Sequence, residues 1–127
     1  MVDHLGLLIA GIVTVANCGD REGLELLLYF HQQRTFFPKK LFADQGYTGE
    51  GPKENAAKYG IDLEPVKRRE SKGFIVEARR WIVERTFAWL GKARRLSKDY
   101  ELTLTSSNSM MYLCMIRLML RRIACLS

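Results

Sequence analysis

Leu41-Phe42-Ala43-Asp44-Gln45-Gly46-Tyr47, continued through Thr48–Tyr59 and Ile61–Val66, is the stretch whose reading decides the fold. Leu41–Ala43 is a short apolar run that ends on an acid followed by glycine. An acid in that place projects into the crevice beyond the carboxyl ends of strands, where open α/β sheets bind ligands. Asp44 can equally cap the turn that follows, and both readings stand here. Thr48–Tyr59 predicts a short helix stopped by Gly60. Its GEGPKEN piece has glycines and a lysine but lacks the spacing of a phosphate-cradling loop. Ile61–Val66 alternates Ile, Leu and Val with Asp62 and Glu64, which predicts a strand, and Pro65 marks an edge or an end. Strands alternating with helices make the class α/β.

Toward the N-terminus, Asp20 is expected to cap a helix over Arg21–Gln33 with Leu24, Leu27, Leu28 and His31 on one face. Asn17-Cys18-Gly19-Asp20 is turn chemistry, and Leu7–Ala16 reads as a buried strand after a turn at His4-Leu5-Gly6. Toward the C-terminus, a basic loop at 67–72 leads into a long helix over Gly73–Arg95. That helix carries Trp81, Ile82, Phe87, Trp89 and Leu90 among arginines and lysines. Its aromatics read mainly as core, with stacking on unpaired bases the alternative. Thr105–Asn108 suits a polar cap, and Ser109–Ala124 predicts a final amphipathic helix with Met111, Cys114, Met115, Leu118 and Ile123 facing the core. No repeat or low-complexity linker divides the chain, so residues 1–127 read as one domain or part of one.

The bulk numbers restrict function. A net charge of +6 and a pI near 9.4 point to an acidic partner such as nucleic acid. At 47% hydrophobic and 27% charged residues the composition is that of a folded protein. Cys18, Cys114 and Cys125 form no CxxC pair, and His4 and His31 lie far from them, which excludes zinc spacing. Leu5–Ala16 has no preceding lysine or arginine and is too short for a span of roughly 20 residues. Arg117, Arg121 and Arg122 interrupt the C-terminal apolar run. A cytoplasmic protein with no membrane association is the expectation.

Two carboxylates carry the chemistry. Glu84 shares a helical face with Arg80, Ala88 and Lys92. It is either a surface ion pair, worth about 0–1 kcal/mol, or a metal-binding acid beside a cationic track. Asp44 and Glu84 can converge on one divalent ion although far apart in sequence, and Mg²⁺ prefers such oxygen ligands together with phosphate and water. Paired ions of this kind activate water or a 3′-hydroxyl at a phosphodiester, and a third acid is expected to complete them. From Lys67 to Lys98 there are eleven basic residues against Glu70, Glu77 and Glu84, a track suited to phosphates.

ADQGYTGE, RRWIVERTFAWLGKARRLSKDYE and SMMYLCMIRLMLRRIA together resemble the C-terminal part of DDE transposases of bacterial insertion sequences, those of family five above all. The opening VDHLGLLIAGIVTVANCGDREG is similar to the segment between their first and second acids. The resemblance implies a ribonuclease H-like fold and Mg²⁺-dependent DNA cleavage and strand transfer by an Asp-Asp-Glu triad. Asp44 matches the second acid and Glu84 the third, as catalytic and metal residues. Arg80, Arg85, Lys92, Arg94 and Arg95 are the implied DNA contacts. The superfamily's tyrosine and lysine positions around that glutamate fall on Glu77 and Gly91, with Lys92 one place late. The first acid and its central strand have no match, and neither Asp3 nor Asp20 stands in that motif's place. The expectation is the C-terminal portion of one catalytic domain, an incomplete fold ending in long helices and inactive alone. A second copy or an upstream fragment supplying the first Asp is the implied partner. A non-catalytic basic DNA-binding module is the alternative.

Overall fold

The computed structural model describes residues 1–33, 36–66, 80–98 and 100–126. The basic loop expected at 67–72 and the start of the helix expected at 73–79 lie outside the described residues. The chain forms two compact units, Thr14–Ile75 and Met1–Val13 with Val76–Ser127. Within the described residues the class is α/β, with four α-helices and a two-stranded parallel sheet.

The Thr14–Ile75 unit contains helix α1 (Asp20–His31), strand β1 (Lys40–Ala43), helix α2 (Glu50–Lys58) and strand β2 (Asp62–Pro65). β1 pairs with β2 in parallel, Lys40 opposite Asp62 and Ala43 opposite Pro65. Parallel neighbours need a crossover, and α2 supplies it. The helix stops as the sequence requires: Gly60 takes φ +72°, its N–H donates to Ala57 O at 3.0 Å, and Ile61 N–H donates to Ala56 O at 3.1 Å. Those two bonds form a Schellman stop, and the buried Ile61 supplies the apolar contact that accompanies it. β2 then alternates. Leu63 is buried, while Asp62 and Glu64 face outward and meet Lys40 Nζ at 3.7 and 2.6 Å. Pro65 ends the strand, where its missing N–H costs the ladder least.

α1 buries Leu24, Leu27, Leu28 and His31, the face its period predicted. His31 Nδ1 donates to Leu27 O at 2.9 Å, which satisfies a carbonyl of the last turn. One expectation fails here. Gly19, not Asp20, is the N-cap, and Asp20 enters the first turn with Glu22, where carboxylates favour the helix dipole.

The other unit is built on helices α3 (Arg80–Gly91) and α4 (Leu104–Leu126). The buried strand expected at Leu7–Ala16 is absent. Val2 and Leu8 make an isolated antiparallel bridge, and the backbone beyond it is satisfied by side chains. Gly11 N–H donates to Tyr112 Oη at 3.0 Å and Val13 N–H to Asn108 Oδ1 at 2.8 Å, so α4 takes the place of a neighbouring strand. The preceding turn seats on α3: Thr86 Oγ1 donates to Gly6 O at 2.7 Å and Arg85 Nη2 to Leu5 O at 2.7 Å. Gly6 has φ +78°, and a Cβ there would lie 3.0 Å from Thr86 Oγ1 and 3.2 Å from the Trp89 ring. Conformation and space both demand glycine.

α4 begins five residues before its expected start. Thr103 Oγ1 accepts Ser106 N–H at 3.1 Å, so the polar run 105–108 is the first turn rather than its cap. Met115 is buried and Cys114 half-buried as expected, whereas Ile123 is 64% exposed. Leu113, Ile116 and Leu120 are exposed too, so α4 is apolar on two faces and the inward one runs through Met115. Among the described residues, no helix is long and apolar enough to cross a membrane.

Candidate functional site

Asp44 follows the last residue of β1, so the strand delivers it to the carboxyl end of the sheet, as the sequence suggested. It also caps: its Oδ1 accepts Gly46 N–H at 3.0 Å and opens a 3₁₀ turn over Gln45–Tyr47. Asp44 therefore both ends the strand and caps the turn that follows it. The first turn of α1 braces this turn. Arg21 donates from Nη2 to Thr48 O at 3.1 Å and from Nε to Gly46 O at 3.5 Å. A Cβ built on Gly46 would lie 3.1 Å from Asp44 Oδ1 and 3.9 Å from Asp20 Oδ2, so two carboxylates flank that glycine.

Their charge is felt by Tyr47. Burial pushes its phenol above the usual value, and the charges of Asp20 and Asp44 push it further the same way, because each disfavours phenolate. Asp44→Asn should therefore lower the pKa of the phenol that Tyr47→Phe removes from an ultraviolet pH titration. An unchanged midpoint would place the Asp44 charge away from Tyr47. Asp20, Arg21 and Tyr47 were not legible as members of this cluster. Arg21 and its acceptors are 25 and 27 positions apart, and no local pattern encodes that reach.

Glu84 lies on the exposed side of α3 in the other unit, beside Val83 and Phe87, which are 42% and 68% exposed. The expectation that most aromatics of this helix are core is corrected by Phe87 and by Trp81, 40% exposed. The inward face uses Thr86 with the half-buried Ile82, Arg85 and Trp89. Arg85 is held there: its Cζ lies 4.2 Å from the Trp81 ring centroid and 4.9 Å from that of Trp89. Lys92 and Arg94 are exposed just beyond α3, and Arg95 pairs with Glu101 at 3.0 Å. Arg80 opens α3, and its side chain lies outside those described.

Among the described residues, no group of three or more His, Cys, Asp or Glu could hold a metal ion. Asp44 thus lacks the carboxylate partners of a complete divalent-ion site in those residues. All three cysteines are free thiols.

Comparison with known proteins bears directly on the class of this chain. Residues 41–121 match the family described as "Transposase DDE domain". The chain belongs to that family. It is also 39% identical over 64 residues to a putative transposase for insertion sequence element IS402 of Burkholderia cepacia. That alignment covers 50% of this chain and 30% of the relative, so the matched half of the chain spans less than a third of that protein's length. No solved structure matches.

Proposed function

We propose that this chain is the C-terminal portion of a DDE transposase catalytic domain of ribonuclease H-like fold, acting in Mg²⁺-dependent DNA cleavage and strand transfer. The observation that carries the reading is Asp44, exposed at the carboxyl end of a parallel strand and, like Glu84, inside the family-matched stretch 41–121. Asp44 and Glu84 are the second and third acids of the triad in this reading. A first acid from another segment or another chain completes it. Mg²⁺, when bound by such a set, polarises the phosphate and lowers the cost of forming the attacking oxyanion. The residues here hold only part of that set. Arg80, Lys92, Arg94 and Arg95 serve the DNA backbone, and Arg85 serves it through the packing of α3. Such contacts bind without reading sequence and weaken as salt rises. The site of action is the bacterial cytoplasm, where the element's DNA lies.

The test is Mg²⁺-dependent nicking of supercoiled DNA by the purified chain. Salt-sensitive binding without nicking is the expected result, because one acid is supplied from elsewhere. Robust nicking, lost in both Asp44→Ala and Glu84→Ala, would overturn the incompleteness while keeping the acids. The alternative, a basic DNA-binding module without catalysis, is favoured by the exposed Lys92 and Arg94 alone. It requires that no added upstream segment ever restores cleavage.

A further inference from the structure

We propose that Arg21, on the first turn of α1, is a positioning residue that aims the Asp44 carboxylate at a divalent ion. The inference rests on the reading of Asp44 as a metal-binding acid and adds the residue that sets its direction. Every part of it lies in the Thr14–Ile75 unit. Asp44 gives one oxygen to its own turn: Oδ1 accepts Gly46 N–H at 3.0 Å. Oδ2 is the oxygen outside that bond, and its direction follows from how the turn sits at the end of the sheet. The bonds inside the turn shape it without fixing that attitude. Tyr47 N–H donates to Asp44 O at 3.3 Å, Thr48 N–H to Gln45 O at 3.2 Å and Thr48 Oγ1 to the same carbonyl at 2.8 Å.

Arg21 supplies the fixed reference. Its Nη2 donates to Thr48 O at 3.1 Å, and a longer bond from Nε reaches Gly46 O at 3.5 Å, so one guanidinium spans the turn. Gly46 is then held from both sides, its N–H by Asp44 and its carbonyl by Arg21. The hold matters because glycine has the widest backbone freedom, and Gly49 follows at φ +109° with open space around it. The other end of the brace is firm. Gly23 N–H closes the first turn of α1 on Gly19 O at 2.8 Å, and the helix is anchored by the buried Leu24, Leu27 and Leu28. A guanidinium offers its donors in a rigid planar fork, which an ammonium does not.

Position and charge act in opposite directions here. As a cation Arg21 repels a divalent ion near Asp44, so if charge were its whole contribution, removing it would tighten ion binding. Asp20 Oδ2, 3.9 Å from a Cβ built on Gly46, adds attraction that such a removal leaves in place. As a positioning residue Arg21 has the reverse effect, and removing it weakens ion binding. The probe is Mn²⁺ titrated into the isotope-labelled chain with duplex DNA present, read as broadening of the Asp44 amide resonance. Arg21→Gln, and Arg21→Lys, which keeps the charge without the fork, should each raise the Mn²⁺ concentration required by roughly 10-fold or more. Arg21 is exposed, so melting and amide exchange in α1 should stay at their wild-type values. Equal or tighter Mn²⁺ binding in Arg21→Gln would overturn the proposal. Wild-type binding in Arg21→Lys would do the same, because the hold on two carbonyls would then be dispensable. Faster exchange throughout α1 in either variant would mark a structural role instead. A wild-type response with unchanged variants removes this inference alone. A wild-type Asp44 amide untouched by Mn²⁺ removes Asp44 as a ligand, and with it both this inference and the reading it rests on.

Discussion

Gly6→Val should destabilise the unit formed by residues 1–13 and 76–127 by on the order of 3 kcal/mol or more. Two terms add. A β-branched residue held at φ +78° costs roughly 1–2 kcal/mol, because its Cβ crowds its own backbone. The same Cβ would meet Thr86 Oγ1 at 3.0 Å, the Trp89 ring at 3.2 Å and Arg85 Nη2 at 3.3 Å, and valine's methyls reach further still. Overpacking of that kind costs about 1–3 kcal/mol. Relief would require the turn to lift off α3, which breaks the Thr86 bond to Gly6 O and the Arg85 bond to Leu5 O. Amide exchange across α3 and α4 should accelerate while exchange in α1 keeps its wild-type rate. Wild-type melting and exchange in Gly6→Val would show that the turn is not seated on α3.

The second large effect belongs to the Thr14–Ile75 unit. Leu28 is fully buried, the central side chain of the apolar face of α1. Leu28→Ala removes its methyl groups and leaves a cavity, a change that costs about 2–5 kcal/mol depending on how far the surroundings collapse. Tyr29→Ala, one position on, is the control. Tyr29 is 57% exposed and touches Phe30 edge-on at 5.4 Å between ring centroids, so its loss should cost well under half as much. Urea denaturation followed through the protection of α1 amides separates the two. Equal effects would mean that the buried face of α1 had been misassigned.

How far these features could be read beforehand depended on the range of the interactions. The turn–helix–strand from Asp44 to Pro65 was legible because glycine, proline and side-chain alternation act within a few residues. Gly60, Pro65 and the Leu63 face each behave as local rules require. Leu7–Ala16 was not. Its composition reports burial but not the source of its hydrogen bonds, and those come from Tyr112 and Asn108, 101 and 95 positions away. The same lack of partner information put Phe87 and Ile123 in the core. A helix with two apolar stripes does not declare which one turns inward, and Thr86 and Met115 mark the faces that do. At the site, the strand-end position of Asp44 was legible from four neighbouring residues. The Arg21 brace, the Asp20 carboxylate by Gly46 and the Trp–Arg column depend on the fold and had no local signature.

The reading of Asp44 and Glu84 as two acids of one divalent-ion site is tested most directly by iron(II)-directed cleavage of the purified chain in the presence of DNA. Iron(II) takes the place of Mg²⁺ among oxygen ligands and, with peroxide, cuts the backbone beside the residues that hold it. The expected pattern is two cuts, one near Asp44 and one near Glu84, both suppressed by excess Mg²⁺ and both lost in either Asp44→Asn or Glu84→Gln. A cut near Glu84 that persists in Asp44→Asn, or cleavage at neither residue, would contradict the shared site.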